Sequence, residues 1–347
     1  MNVLEAAASF GHEQVVFCHD AAADYKAIIA IHSTVLGPAG GGTRLLRYAS
    51  EEDALRDALR LSRGMTYKNA VAGLPLGGGK AVILANGGHQ DRERLFRAHG
   101  RFVERFGGRF ITGEDVGTSV ADMDFIRQET KHVTGLAHIS GDPSPWTARG
   151  VLRAIQASAR QRWGSNSLAA KTVAIQGCGN VGFHLARLLA GEGARLVVAD
   201  VDPQRVRHVV QETAAEAVEP EAIYDVTADV FAPCALGGAI NDETLPRLKV
   251  GIVAGAANNQ LLEERHGRAL EDRGILYAPD FVANAGGVIS STVDLLGWDQ
   301  TRATEKIDGI YDTILSVFAI ASREGVPTSV AANRLAEERL RAGRPRT

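Results

Sequence analysis

The sequence predicts an α/β protein of two domains, and three observations carry that prediction. From residue 172 onward, short apolar strands alternate with helical stretches, the order of a parallel, doubly wound sheet. A glycine cluster, "GCGNVG" at 177–182, sits at a strand-to-helix junction inside that stretch. Before it lies "HISGDPSPWTARG", rich in Gly, Pro and Ser, which reads as a hinge or boundary after a more mixed first half. The expected domains are 1–140 and 141–325, with a cleft between them and the C-terminal segment 326–347 packing back on the first.

In the first domain, "EQVVFCHD" and "YKAIIAIHST" have the β-branched content of two pairing strands. "SEEDALRDALRLSRGMTYKNAVAG" follows as an amphipathic helix: Leu55, Ala58, Leu59 and Ser62 share a face, and Ser50 with Asp53 forms an acidic capping box. Next come the strand "KAVIL", a helix over "DRERLFRAHGRFVERF", the strand "RFITGEDV" and a helix from "SVADMDFIRQET". Past the hinge, "RGVLRAIQASARQRW" reads as a helix; "DVFAPCA", "VGIVAGAA" and "GILYAPD" are later strands. "TRATEKIDGIYDTILSVFAIASREG" reads as one long helix and "SVAANRLAEERLRAG" as another.

Composition narrows the function classes. At 347 residues, 45% hydrophobic and 23% charged, the chain has an ordinary globular balance, and a formal charge of −3 argues against nucleic-acid binding. The basic "RLRAGRPRT" at the C-terminus reads as a solvated end. Cys18, Cys178 and Cys234 are few and far apart, which suits free thiols in a reducing compartment. Neither CxxC nor HExxH occurs, so no metal is expected. The N-terminus lacks a basic segment followed by an apolar run, and no stretch of about 20 apolar residues is present to span a bilayer, so a cytoplasmic protein is expected.

Gly177, Gly179 and Gly182 have the G-x-G-x-x-G spacing, after the strand "TVAIQ" and at the start of the helix "VGFHLARLLAGEG". Such glycines allow a tight turn, close approach of a pyrophosphate and close helix–strand packing. The anion then meets the free N–H groups of the turn, around Asn180 and Val181, with the helix dipole behind them. Asp200 ends the next strand, 18 residues past Gly182, where an acid binds ribose hydroxyls and repels a 2′-phosphate. A Rossmann-type domain holding NAD is expected. Asp202 competes for the ribose role and could instead cap the helix that starts at Pro203.

The stretch "GLPLGGGKAVI" at 73–83 places three glycines before Lys80. It is no phosphate loop of the G-x-x-x-x-G-K-[ST] type, because Leu74 stands at the first glycine position and Ala81 follows the lysine. Two readings remain: a backbone pressed onto a small molecule, or a glycine turn leading into a strand. Lys68 and Lys80 flank an uncharged run, where two nearby ammonium groups would depress each other's pKa and leave one as a base. Glu114 and Asp115 in "ITGEDVGTS" could exchange a proton with a substrate amine, or could cap the helix that follows.

Seven motifs in order, "LGPAGGGTR", "GMTYKNAVAGLPLGGGKAVI", "TGEDVGTSVADMD", "GCGNVG", "FAPCALGG", "GAANNQL" and "PDFVANAGGV", run over nearly the whole chain. The chain resembles the glutamate/leucine/phenylalanine/valine dehydrogenases, in the branch acting on apolar amino acids. The resemblance implies reversible oxidative deamination of an L-amino acid with NAD and water, giving 2-oxo acid, ammonia and NADH. It implies that Lys80 activates the water and that Asp115 passes a proton to or from the amino nitrogen. Lys68, with backbone at Gly41 and Gly42, would bind the substrate carboxylate, and Asn258 would hold it beside the nicotinamide. Thr147 and the backbone around Cys234 would lie near the nicotinamide and its ribose, with Cys234 a packing residue. A homo-oligomer built through the N-terminal domain is also implied.

Leucine-specific members tend to have leucine where this chain has Gly40 and alanine where it has Gly113. Glycine at both sites is expected to enlarge the side-chain pocket, which points to an aromatic substrate, phenylalanine or tryptophan, with a branched-chain substrate as the alternative. "VISSTVDLLGW" departs from the family pattern, so the pocket residues at Ser290, Ser291 and Val293 do not carry over. Two rivals stand beside this reading. A hydroxy-acid dehydrogenase wants a histidine beside an acid in these motifs, and none is there. An inactive NAD-binding sensor or assembly partner would have lost Lys68, Lys80 or Asp115.

Overall fold

The structure, a computed structural model, describes residues 2–85, 91–136 and 141–343. They divide into two compact units. The first gathers the chain up to Gly141, Ser291–Asp299 and the stretch from Ala336; the second holds Asp142–Ser290 and Gln300–Leu335. Residues His138–Ser140 of the hinge motif lie outside the described residues.

In the first unit, α1 (Val3–Phe10) precedes β1 (Gln14–Asp20) and β2 (Tyr25–Ser33), which pair antiparallel with Gln14 opposite Ile31, as the sequence predicts. Then come β3 (Ala39–Gly40), β4 (Thr43–Leu46), α2 (Glu51–Ala72), β5 (Gly77–Leu84), α3 (Arg92–Glu104), β6 (Phe110–Ile111) and α4 (Val120–Arg127). The strand order is β1-β2-β5-β3-β6, with β4 pairing on β5. The run "AIIAI" of β2 is apolar throughout because both faces are covered. Ile29 and Ile31 join a core with Phe96, Phe110 and Met123, while Ile28 and Ala30 pack with Leu55 and Leu59 of α2. Ser50 Oγ accepts the Asp53 N–H at 3.1 Å and starts α2, and Leu55, Ala58, Leu59 and Ser62 form its buried stripe.

The glycines before Lys80 form no turn; they are the first three residues of β5. Each is required by a neighbour distant in sequence. A Cβ would stand 1.9 Å from the Ser33 carbonyl oxygen at Gly77, 2.1 Å from the Thr66 backbone nitrogen at Gly78, and 2.7 Å from the Phe110 ring at Gly79. The strand therefore presses onto β2, α2 and β6 at once. α4 starts where the sequence predicts, and Ser119 with Asp122 forms its capping box, so Glu114 and Asp115 do not cap it.

In the second unit, β7 (Thr172–Gln176), β8 (Arg195–Ala199), β9 (Glu216–Ala217), β10 (Val230–Pro233), β11 (Ile252–Val253) and β12 (Leu276–Tyr277) pair parallel in the order β12-β11-β10-β7-β8-β9. The winding reverses between β7 and β10, and crevices that bind dinucleotides form at such a switch. α5 (Ser144–Trp163) starts five residues before the predicted helix, because Pro145 is tolerated in a first turn, where its missing N–H has no partner to lose. α6 (Asn180–Gly191), α7 (Pro203–Thr213), α8 (Arg265–Asp272), α9 (Asp280–Ala283) and α10 (Gly286–Ser291) follow in order.

α11 (Val293–Leu296) belongs to the first unit's stretch. The predicted long helix is broken at Gly309 into α12 (Gln300–Asp308) and α13 (Ile310–Glu324). The last helix, α14 (Thr328–Gly343), ends in the first unit, where the Arg339 guanidinium donates to the Ala70 carbonyl at 3.0 Å and Tyr67 donates to Glu337 at 3.1 Å. No helix among the described residues is long and apolar enough to cross a membrane.

Candidate active site and dinucleotide cradle

Lys80 stands opposite Ala30 in the middle of β5, on the face covered by α2, and is 4% exposed. Burying an ammonium there requires a counter-charge. Asp115, just past β6, supplies it, with Oδ2 3.0 Å from Lys80 Nζ. The same oxygen accepts the Arg44 Nε–H at 2.8 Å. Arg44, on β4, reaches Asp57 of α2 through Nη1 at 2.9 Å, and the Tyr48 hydroxyl donates to the same Asp57 oxygen at 2.7 Å. Asp115 is fixed at its backbone too, since its N–H donates to Thr118 Oγ1 at 2.9 Å and that hydroxyl reaches the Thr43 carbonyl at 3.1 Å.

Burial pushes the Lys80 pKa down; Asp115 opposes the shift and Arg44 adds to it. The sequence expected a second ammonium, Lys68, to do the lowering, but the largest cause is loss of solvent, and the cation sharing the carboxylate is Arg44. Burial works against the charge on Asp115, yet Lys80 and Arg44 outweigh it and hold its carboxyl below the usual range. Arg44 ends the "GGGTR" motif, and nothing local in the sequence marks it as a partner of Asp115. Only the parallel pairing of β4 with β5 shows that it shares an oxygen with a lysine 36 positions away.

The other first-unit residues converge on the same strands. A Cβ at Gly41 would stand 1.8 Å from the Gly79 carbonyl oxygen, and one at Gly42 would stand 2.9 Å from Asp115 Cβ. Both glycines let their backbone approach the Lys80–Asp115 pair. Lys68 lies half-buried on α2. Gly40 and Gly113, expected at the side-chain pocket, both have protein atoms in their Cβ directions. A Cβ at Gly40 would point at Leu76 Cδ1 (3.3 Å) and Asn69 Nδ2 (3.5 Å), and one at Gly113 would meet Thr134 Oγ1 at 2.9 Å. Protein atoms lie in both Cβ directions, so each glycine allows close packing there.

The second unit carries the glycine turn. Gly177 has φ +100°, and a Cβ there would clash with the Ala235 nitrogen at 2.8 Å; one at Gly182 would stand 2.0 Å from the Gly177 carbonyl oxygen. Packing explains these two. It does not explain Gly179, where the nearest atom to a Cβ would be Arg205 Nη1 at 3.8 Å. Gly179 is also the N-cap of α6, with no side chain capping the free N–H groups of Asn180, Val181 and the next residues. A turn kept bare where the protein does not need the room, in front of uncapped donors, fits a dinucleotide pyrophosphate.

Asp200 accepts the Cys178 N–H at 2.6 Å on one oxygen and the Asp202 N–H at 2.8 Å on the other, and so lashes the ends of β7 and β8 together. Asp202 caps α7 by accepting the Gln204 N–H at 2.8 Å. Burial pushes the Cys234 thiol up to about 12, and its N–H donates to the Gln176 carbonyl at 2.7 Å. Asn284 holds Asn258 by donating to its Oδ1 at 2.8 Å, and a Cβ at Gly237 would stand 2.7 Å from the Asn258 carbonyl oxygen. The "PCALGG" and "GAANNQ" loops thus lie against each other. Thr147 donates to the Pro143 carbonyl at 3.0 Å and faces Gly287.

Residues 12–132 match the Glu/Leu/Phe/Val dehydrogenase dimerisation domain, and 141–206 with 198–344 match the glutamate/leucine/phenylalanine/valine dehydrogenase domain. The chain belongs to the Glu/Leu/Phe/Val dehydrogenase family. It is an oxidoreductase of the amino-acid dehydrogenase class, built for a nicotinamide dinucleotide. It is 55% identical to a leucine dehydrogenase from Geobacillus stearothermophilus, over 98% of this chain and 94% of that one. It is 51% identical to an L-tryptophan dehydrogenase from Nostoc punctiforme, over 98% and 96%. The crystal structure of L-tryptophan dehydrogenase from the same organism superposes with a TM-score of 0.89 at 49% identity, covering 98% of this chain and 99% of that one.

Proposed function

We propose that this dehydrogenase catalyses the reversible NAD-dependent oxidative deamination of a branched-chain L-amino acid, with L-leucine as the leading substrate. The observation that carries the chemistry is the buried Lys80–Asp115 pair at 3.0 Å. Lys80, with its pKa lowered by burial, serves as the base that takes a proton from water as the water adds to the imino carbon. Asp115 passes a proton to and from the amino nitrogen. Lys68, with the close-packed backbone at Gly41 and Gly42, anchors the carboxylate, and Asn258, held by Asn284, has a substrate-binding role. Gly177, Gly179, Asn180, Val181 and Gly182 hold the pyrophosphate, Asp200 meets the ribose and repels a 2′-phosphate, and Thr147 and the Cys234 loop border the nicotinamide. When bound, NAD accepts the hydride that leaves the substrate Cα. The matched dimerisation domain supports a homo-oligomer.

Two observations favour a branched aliphatic side chain over the aromatic one expected from the sequence. Leucine dehydrogenases reach 55% identity to this chain, against 51% for the tryptophan enzyme. The Cβ directions at Gly40 and Gly113 are filled by Leu76, Asn69 and Thr134. The aromatic reading keeps one supporting observation, the high superposition on the tryptophan dehydrogenase. Ammonia-dependent NADH oxidation with a panel of 2-oxo acids decides. A methylene in an apolar pocket is worth about 1–3 kcal/mol, so 4-methyl-2-oxopentanoate is expected to exceed phenylpyruvate and indolepyruvate by about tenfold or more in kcat/KM. Equal or better turnover of either aromatic acid overturns the branched-chain assignment.

A further inference from the structure

We propose that Arg44 is a positioning residue: by holding Asp115 through Oδ2 it keeps that carboxylate charged and aimed after Lys80 has given up its proton. The inference rests on the acid–base roles proposed above. Lys80 and Arg44 meet the same oxygen, at 3.0 and 2.8 Å. Oδ1 takes no hydrogen bond from any described residue and is the oxygen left for the substrate nitrogen. With Lys80 as its sole partner, Asp115 would lose its counter-charge whenever the lysine acted as a base, and a buried carboxylate without a cation tends to take up a proton. A guanidinium does not deprotonate in this range, so Arg44 stays charged through the cycle. Its second nitrogen is tied to Asp57, itself held by Tyr48, so the fork cannot swing away without breaking that chain.

The charged groups around Lys80 are Asp115 after β6, Arg44 on β4 and Asp57 on α2, which also carries Lys68. Arg44 and Asp57 act on the lysine with opposite sign, which gives a test that mere damage to the fold would not mimic. The readout is the pH dependence of kcat for deamination of L-leucine with NAD, which rises with pH as Lys80 becomes neutral. Arg44→Gln removes a positive charge, so the rise moves up by about half a pH unit or more, and kcat on that limb falls at least about threefold. Asp57→Asn removes a negative charge, and the rise moves down. Arg44→Lys keeps the charge and leaves the rise at its wild-type position.

NADH binding, read by fluorescence, stays unchanged in all three variants, because the cradle lies in the other unit. Loss of kcat in Arg44→Gln and Asp57→Asn with the pH profile unmoved overturns the assignment. If Arg44→Gln does not fold, the direction of the Asp57→Asn shift decides alone. A wild-type protein that turns over no 2-oxo acid with ammonia would instead overturn the dehydrogenase reading on which this inference stands.

Discussion

A lysine in the middle of a sheet is a costly residue to bury, and Lys80 is tolerable only because Asp115 meets it. Lys80→Ala is expected to lower kcat by about 10²-fold or more, the usual scale of acid–base catalysis, with NADH affinity intact. Near-normal turnover would remove Lys80 from the mechanism. The glycine before it gives a second expectation. A methyl at Gly79 would stand 2.7 Å from the Phe110 ring, so Gly79→Ala should destabilise the fold by about 1–3 kcal/mol, and an unchanged Tm would contradict the close packing. The residue types of this site were legible in the sequence, while their partners were not. Lys80 and Asp115 stand out by their setting, whereas nothing local marks Arg44, which the pairing of β4 with β5 brings to the same carboxylate.

Elements came through in the sequence where local signals agreed. The β1–β2 pair, the capped stripe of α2 and the turn before α6 all rest on residues close in the chain. The reading failed where distant contacts decide. Glycine is a poor strand former, so "GGG" left open a loop pressed onto a ligand or a turn into a strand, and Ser33, Thr66 and Phe110 are what make it strand. The broken helix at Gly309 and the early start of α5 are similar departures from local pattern. At the glycine turn the structure separates two jobs that the motif merges. Gly182→Ala collides with backbone and should lower stability and NADH affinity together. Gly179→Ala meets nothing closer than Arg205, and should keep the wild-type Tm while weakening NADH binding. A Gly179→Ala protein that binds NADH normally would show that the bare turn serves no ligand.

For the molecule as a whole, two histidines of the first unit contribute to the response to acid. His99 bridges Tyr25 and Thr43 at 2.8 and 2.7 Å, and burial lowers its pKa to about 3. His12 is lowered to about 4 by burial and then by the neighbouring His32. Both rings are neutral in the fold and regain an ordinary pKa of 6.5 on unfolding, so the unfolded chain binds more protons between those limits. Their contribution to stability is therefore full above about 6.5 and falls as the pH drops, by about 2 kcal/mol at pH 5 for the fully buried His99 and by less for the partly buried His12. Thermal denaturation at pH 7 and pH 5 checks this, and an unchanged Tm would mean that the rings are not held neutral. Such a dependence was invisible in the sequence, where neither histidine carries a signal of burial.

The three thiols have a practical consequence. Cys18 and Cys178 are buried with pKa values near 11 and 12, Cys234 is partly buried at about 12, and thiolates are the species that alkylating reagents attack. At neutral pH the native chain is a quiet background for maleimide chemistry. A single cysteine introduced on an exposed face of each unit could take a dye while the native thiols stay in place. Inter-dye distance, followed with and without NADH, would then test whether the ligand changes the spacing of the two labels.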